Sequence, residues 1–172
     1  AKFWGLEAPT SLQFHHYNSP ILQQCGIQNR GGVADWWVVA LMGLSLEEQF
    51  ELLRGSGRNP FMDGKRPWWA HNDESHFASV KFQPGVHLID FRGHLRSLDW
   101  QAQELRLAAL SKDRSIERCS LPMLTEALLV VEGILQRKLM KSLLHVSSAL
   151  DSRGRRVCAG FQGGRLRITA AP

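Results

Sequence analysis

The apolar positions between residues 33 and 53 recur every three or four residues and predict two consecutive helices. The first runs from about Val33 to Leu44, and its apolar side chains stand at Trp37, Val38, Leu41 and Leu44. Ser45-Leu-Glu-Glu then matches a capping box, in which a serine and a glutamate three residues later satisfy each other's backbone N–H groups. This pattern opens a second helix that ends near Leu53. Residues 1–32, which contain many Gly, Pro, Asn, Ser and Gln, predict an irregular lead-in.

The middle of the chain changes to a pattern typical of β-structure. Ser75 to Phe82 and Val86 to Phe91 are short runs on either side of Gln83-Pro84-Gly85, which predicts a β-hairpin. Residues 54–73 before it form a loop rich in Gly and Pro.

The second half predicts helices followed by a last hairpin. Helical spacing covers Leu98 to Leu110 and Pro122 to Ala149, and the run from Val157 to Ile168 is broken by Gly163-Gly164. Helices and hairpins that follow one another in this order predict an α+β fold. The length of 172 residues fits one domain spanning residues 1–172, and a first residue other than Met fits a piece of a longer protein.

The charge of the chain is positive, with a formal net charge of +5 at pH 7. This charge favours an anionic partner such as a membrane surface, a nucleic acid or an acidic protein. The basic residues are scattered, and their densest cluster, Arg153, Arg155 and Arg156, has the composition of a solvated turn. We therefore expect no dedicated nucleic-acid site.

The cysteines and histidines predict neither disulfides nor a metal site. The chain has three cysteines, an odd number without a CxxC pair, which favours a reducing compartment. The histidines at His15, His16, His71 and His94 show no spacing typical of metal ligands. We expect no metal and no cofactor.

A glutamine precedes the predicted first helix at a distance that matters for thiol chemistry. A catalytic thiolate is stabilised at the N-terminus of a helix, and a side-chain amide upstream can help to bind the oxyanion. Gln28 stands six residues before Ala34, with Gly31-Gly32 between them. This segment resembles the papain-like cysteine protease superfamily, in which a Gln lies six residues before the nucleophilic Cys. The position of that Cys falls on Ala34.

The predicted middle hairpin carries the second half of the resemblance. In the YopT/AvrPphB-type bacterial effector proteases, a catalytic histidine opens one strand and an acid closes the next, shortly before a glycine. His76 and Asp90 take these positions here, with Gly93 following. If Gln83-Pro84-Gly85 is the hairpin loop, both side chains point to one face as diagonal neighbours. The resemblance covers residues 26 to 93.

The resemblance implies a papain-like fold, with a central helix that carries the nucleophile position and packs on a small antiparallel sheet. It implies a cysteine hydrolase of a bacterial effector or toxin, secreted and acting on a protein substrate in the cytoplasm of a target cell. A cysteine in place of Ala34 would be the nucleophile, His76 the general base and acid, Asp90 the residue that orients His76, and Gln28 an oxyanion donor. The chain as written lacks the nucleophile, so it is either a Cys-to-Ala variant or a natural pseudoenzyme.

Several alternatives stay open at this stage. A glutamine deamidase would use the same thioester chemistry, as the related Pasteurella toxin domain does, and a peptidoglycan amidase would use similar residues. A non-catalytic binding module would hold a protein or an anionic membrane through basic residues and exposed tryptophans. Trp68 or Trp69 could line a substrate groove, because their loop precedes His76. Cys25 is a rival nucleophile without a helix to activate it.

Overall fold

The computed structural model describes residues 36–55, 61, 67–70, 74–90, 98–111, 117–135 and 145–171. The strands are β1 (Trp36–Leu41), β2 (Gly85–Asp90), β3 (His145–Leu150), β4 (Arg156–Gln162) and β5 (Arg165–Ala170). The α-helices are α1 (Leu46–Gly55), α2 (Ser75–Ala78), α3 (Trp100–Ser111) and α4 (Leu121–Leu135), and a 3₁₀ helix spans Trp68–Ala70. Mixed helices and small antiparallel sheets make the fold α+β, as predicted.

Two separate antiparallel sheets form in the described part of the chain. β1 pairs with β2, and β3, β4 and β5 form a three-stranded sheet in that order, which we call the C-terminal sheet. The predicted terminal hairpin is confirmed: Gln162 pairs with Arg165, and Gly163 and Gly164 adopt positive φ in the turn between them.

Helix α4 lies at the centre of the packing and contacts both sheets as well as α1 and α2. Its side chains from Leu121 to Val130 are nearly all buried, which is expected for a helix with neighbours on all sides. An aromatic cluster extends this core, because Phe50, Phe61 and Trp69 lie with ring centroids 5.5–5.8 Å apart.

The predicted first helix is wrong over its described part. Residues Trp36–Leu41 form β1, which pairs along its whole length with Gly85–Asp90. The run Trp-Trp-Val-Val-Ala-Leu is rich in aromatic and β-branched residues, and these pack well in a strand. A continuous apolar run of this length fits a buried strand as well as a helix, and long-range pairing selects the strand.

The predicted middle hairpin is also wrong. Its second strand exists as β2, but its first, from Ser75 to Phe82, is replaced by the one-turn helix α2 and an irregular segment. The partner of β2 is β1, so the pairing of Ala78 with Asp90 does not form. The long helix from Pro122 to Ala149 is wrong at its end, since α4 ends at Leu135 and β3 begins at His145.

The capping box at the start of α1 is confirmed by both of its hydrogen bonds. The Ser45 backbone N–H donates to Glu48 Oε2 at 2.9 Å, and the Glu48 N–H donates to Ser45 Oγ at 3.2 Å. The helix then ends at Gly55, close to the predicted Leu53.

The connection from β1 to α1 is held by a buried carboxylate on α4. Glu126 is 0% exposed, and its oxygens accept from the backbone N–H groups of Met42 at 2.5 Å and Leu44 at 3.0 Å. Burial raises the pKa of Glu126, although these N–H groups act to lower it. Gln49 on α1 adds a second tie, donating to Pro122 O at 2.9 Å and accepting from Thr125 Oγ1 at 2.8 Å.

Gly43 lies between Met42 and Leu44, whose N–H groups donate to Glu126, and should tolerate no side chain. Its φ is +76°, and an added Cβ would lie 2.6 Å from the Phe82 carbonyl oxygen. Gly43→Ala is expected to lower the free energy of unfolding by about 2–4 kcal/mol, through the positive φ and the clash together. Gly154→Ala is the matched control, because Gly154 has φ +74° with nothing within 4 Å, and only the conformational cost of about 1 kcal/mol applies. Equal losses in urea denaturation would contradict the close approach.

Glu126 should make its contribution to stability depend on pH. Since its folded pKa is raised above the ordinary value of 4.5, the folded state holds a proton that the unfolded state releases, and stability falls as the pH rises through that range. In Glu126→Gln this titration is absent. The free energy of unfolding of the parent minus that of Glu126→Gln should therefore fall as the pH rises above 4.5. Denaturation at pH 4 to 8 measures it, with Glu47→Gln as an exposed control. A rise of this difference in free energy with pH would contradict a raised pKa of Glu126.

Candidate functional site

The residues of the predicted thiol site are only partly within the described structure. Gln28, Ala34 and Cys25 lie outside the described residues. Asp90 is the last residue of β2 and pairs with Trp36 of β1, whereas His76 lies on α2. The two residues therefore do not share a hairpin, and the shared sheet face that the sequence predicted for them is not formed.

His76 is bound to the turn that joins β3 to β4. Its Nε2 lies 2.9 Å from the carbonyl oxygen of Leu150. A carbonyl oxygen only accepts, so Nε2 carries the proton and donates it. The ring also packs edge-on against Phe77, with centroids 5.2 Å apart. These contacts place His76 as a link between α2 and the C-terminal sheet.

A second link from the same short segment reaches the same turn. Glu74, 8% exposed, accepts from the Ser152 backbone N–H at 2.9 Å and from the Ser152 hydroxyl at 2.7 Å. Sequence reasoning missed this pair, because 78 positions separate the partners and neither residue type marks the contact.

The turn between β3 and β4 is built around Asp151. Oδ1 of Asp151 accepts from the N–H groups of Arg153 at 3.0 Å and Arg155 at 2.7 Å, and Oδ2 accepts from the Arg155 guanidinium. Burial acts to raise the pKa of Asp151, but these bonds and the charge of Arg155 hold it below the usual range. Because Asp151 accepts from these backbone N–H groups and from the Arg155 guanidinium, they are not available to an anion, and Arg153 is the arginine of this turn that can meet one.

The predicted substrate tryptophans have structural contacts. Trp69 is 1% exposed within the aromatic cluster, so its ring has no surface to offer a substrate. Trp68 is half-buried and donates its indole N–H to Ile168 O at 2.9 Å, which ties the 3₁₀ helix to β5.

Strand register places three arginines on one face of the C-terminal sheet. The core face carries Val157, Ala159, Phe161, Leu166 and Ile168, each at most 2% exposed. Arg156 alternates with these residues on β4, and Arg165 and Arg167 do so on β5, so all three point to the opposite face, which we call the outer face. Cys158 on this face is 4% exposed, so the outer face is covered in the middle of β4, whereas Arg165 is exposed and Arg156 and Arg167 are half-buried. Arg153 lies in the turn that precedes Arg156.

These four arginines, Arg153, Arg156, Arg165 and Arg167, are called the arginine set below. Within the described ranges none of them has a carboxylate within ion-pair distance. Arg156 donates to Ser148 O at 3.3 Å, and Arg167 donates to Gln162 Oε1. In the same part of the chain, carboxylates pair with most of the other cations: Arg54, Lys81, Arg118 and Arg155. Only Arg106 joins the arginine set as a described Lys or Arg without such a partner.

Trp100, the first residue of α3, lies against two guanidinium groups at one end of the sheet. Arg156 Cζ is 3.8 Å and Arg118 Cζ is 4.2 Å from the ring centroid. Arg118 is further fixed by Glu104 at 2.9 Å and by the Val146 carbonyl at 3.4 Å. Guanidinium groups bind well to the face of an indole, so this cluster orients Arg156.

The described thiols are not activated. Burial raises the pKa of Cys119 to about 11, and burial also raises the pKa of Cys158. Both are therefore protonated near neutral pH, in contrast to a nucleophilic cysteine, whose pKa is lowered. Among the described residues, no group of three or more His, Cys, Asp or Glu side chains could hold a metal ion.

No protein-family model matches the chain, and neither a curated protein nor a solved structure matches it.

The Glu74–Ser152 contact should hold the turn that carries Arg153. Glu74→Gln leaves one acceptor oxygen for two donors, so we expect a loss of about 1–2 kcal/mol in the stability of the turn. Hydrogen exchange of the Ser152 amide should become about tenfold faster, which follows from such a loss. Ser152→Ala is the control, because it removes the hydroxyl bond and keeps the amide bond, so exchange at residue 152 should change less. Equal exchange in both variants and the parent would contradict this role.

Proposed function

We propose that this domain is a non-catalytic binding module that holds an anionic partner on the outer face of its C-terminal sheet. The observation that carries the proposal is the arginine set: four cations without a carboxylate partner, in a domain where the described cations elsewhere are mostly paired.

The position of these charges supports binding rather than folding. Residues 145–171 contain five arginines and one acidic residue, Asp151. This segment therefore has a net charge of +4, against +5 for the whole chain. Like charges that are brought together on one sheet repel each other, and this opposes folding. An anionic partner would remove that repulsion.

The type of residue also supports recognition of oxyanions. Residues 145–171 contain no lysine. The planar guanidinium binds a carboxylate or phosphate through two parallel hydrogen bonds, which an ammonium group cannot do. Arg156 is held by Trp100 and by Ser148 O before any partner binds, so less side-chain freedom is lost on binding.

The thiol-hydrolase hypothesis gains no comparable support from the described residues. It requires a nucleophile at a helix N-terminus and a histidine that faces it. The segment that follows position 34 forms β1 from Trp36, and the Nε2–H of His76 is directed to Leu150 O. The binding module belongs to another functional class, and it uses residues that the structure describes.

The proposal predicts that the arginines of β5 determine binding to a polyanion. Arg165→Gln with Arg167→Gln should elute from immobilised heparin at lower salt than the parent. The slope of log K against log salt should become shallower by about one for each arginine removed. Arg54→Gln with Arg106→Gln is the matched control, because it removes the same charge from helices α1 and α3.

The comparison separates a local site from the total charge of the chain. Equal weakening in the two double variants would mean that only net charge matters, and the proposed site would then be wrong. Circular dichroism and thermal unfolding of each variant check that the fold is intact.

A further inference from the structure

We infer that the anionic partner is the surface of a lipid bilayer with acidic headgroups, which the arginine set contacts while Leu150 and Leu98 enter the interface. This inference rests on the proposed function and names its ligand. It is carried by two exposed apolar side chains: Leu150, opposite Arg156 in the ladder, and Leu98, two residues before the tryptophan that lies against Arg156.

Leu150 is the first of these side chains. It is the last residue of β3 and lies directly opposite Arg156 in the ladder, so the two side chains share the outer face. Leu150 is 39% exposed, whereas the leucines and isoleucines of the core face are at most 2% exposed. A large apolar side chain that is exposed next to a cation fits the boundary between headgroups and acyl chains.

Leu98 is the second exposed apolar side chain, and it is linked to Arg156 through Trp100. It precedes Trp100 by two residues, is 39% exposed, and Trp100 lies against the guanidinium of Arg156. Tryptophan and arginine both have an apolar body and a polar end, which suits them to the membrane interface. Asp99, between Leu98 and Trp100, is exposed, and its carboxylate accepts from the Ala102 N–H at the start of α3.

The edges of the C-terminal sheet make an added peptide strand a poorer partner. At β5, Phe61 forms a bridge with Leu166, and the Trp68 indole occupies Ile168 O. At β3, the Ser148 N–H donates to Cys119 O at 3.1 Å. Since strand addition requires free backbone groups along an edge, an acidic peptide would have to bind through side chains alone.

The aromatic side chain on this face also makes single-stranded nucleic acid a poorer partner. Proteins that bind single strands stack bases on exposed aromatic rings. Two guanidinium groups already lie within 4.2 Å of the Trp100 ring centroid. A bilayer needs no stacking platform and no sheet edge.

No helix in the described ranges is long and apolar enough to span a membrane.

Co-sedimentation with vesicles tests the inference on the 172-residue chain. Vesicles of phosphatidylcholine alone are compared with vesicles that also contain phosphatidylserine. We expect binding to the acidic vesicles only, weakened about fivefold for each arginine removed in Arg165→Gln with Arg167→Gln. Arg54→Gln with Arg106→Gln should bind as the parent does.

Leu150→Ser tests the apolar part, and we expect it to weaken vesicle binding roughly fivefold without changing elution from heparin. Val86→Ser is its control, because Val86 is 55% exposed on the other sheet. Equal binding to neutral and acidic vesicles, or equal effects of Leu150→Ser and Val86→Ser, would overturn the inference.

The outcomes separate this inference from the proposed function. If the β5 arginine variant elutes early from heparin but the parent ignores acidic vesicles, the bilayer is wrong and the anion-binding surface stands. The partner is then an acidic protein or another polyanion. If the β5 variant behaves like the control in both assays, the surface and the bilayer are both wrong.

Discussion

The arrangement of the two sheets depends on the hydrogen bonds that the buried carboxyl group of Glu126 accepts. A charged or polar group that is 0% exposed is stable only when donors surround it, and the donors here are backbone N–H groups of the β1–α1 connection. This requirement fixes where β1 ends relative to α4. Because α4 also packs against β4, the same helix positions both sheets. The apolar contacts supply most of the stability, and the hydrogen bonds of Glu126 hold the β1–α1 connection against α4.

Local patterns were predictable from the sequence, and long-range pairing was not. The capping box at Ser45 and the glycine turn at Gly163 act within a few residues, so their signals are complete in the sequence. The strand β1 is different, since its apolar run suits two structures and its partner, β2, lies more than forty positions away. The wrong strand at Ser75 follows from pairing β2 with its sequence neighbour instead of with β1. The wrong helix at Val33 follows from assigning helical spacing to an apolar run that forms β1 from Trp36.

The candidate site shows the same division. The cluster of Arg153, Arg155 and Arg156 is visible in the sequence, and a turn there was correctly predicted. What the sequence does not show is that Asp151 neutralises one of the three, or that strand register adds Arg165 and Arg167 to the same face as Arg156. The capacity of the arginine cluster to bind an anion depends on which of its charges lack a carboxylate partner, and such pairing is set by the folded chain.

The segment around α2 is connected by two side chains to the turn that carries Arg153. A general base needs an unprotonated ring nitrogen that is directed at its substrate. In His76 the nitrogen whose contact is described, Nε2, donates to Leu150 O. Glu74, two residues earlier, holds Ser152 on the same turn. Two polar side chains on one short segment thus fix both sides of Asp151. A turn fixed in this way holds the backbone at Arg153 and Arg156 without a ligand, so in the proposed function less backbone entropy would be lost on binding.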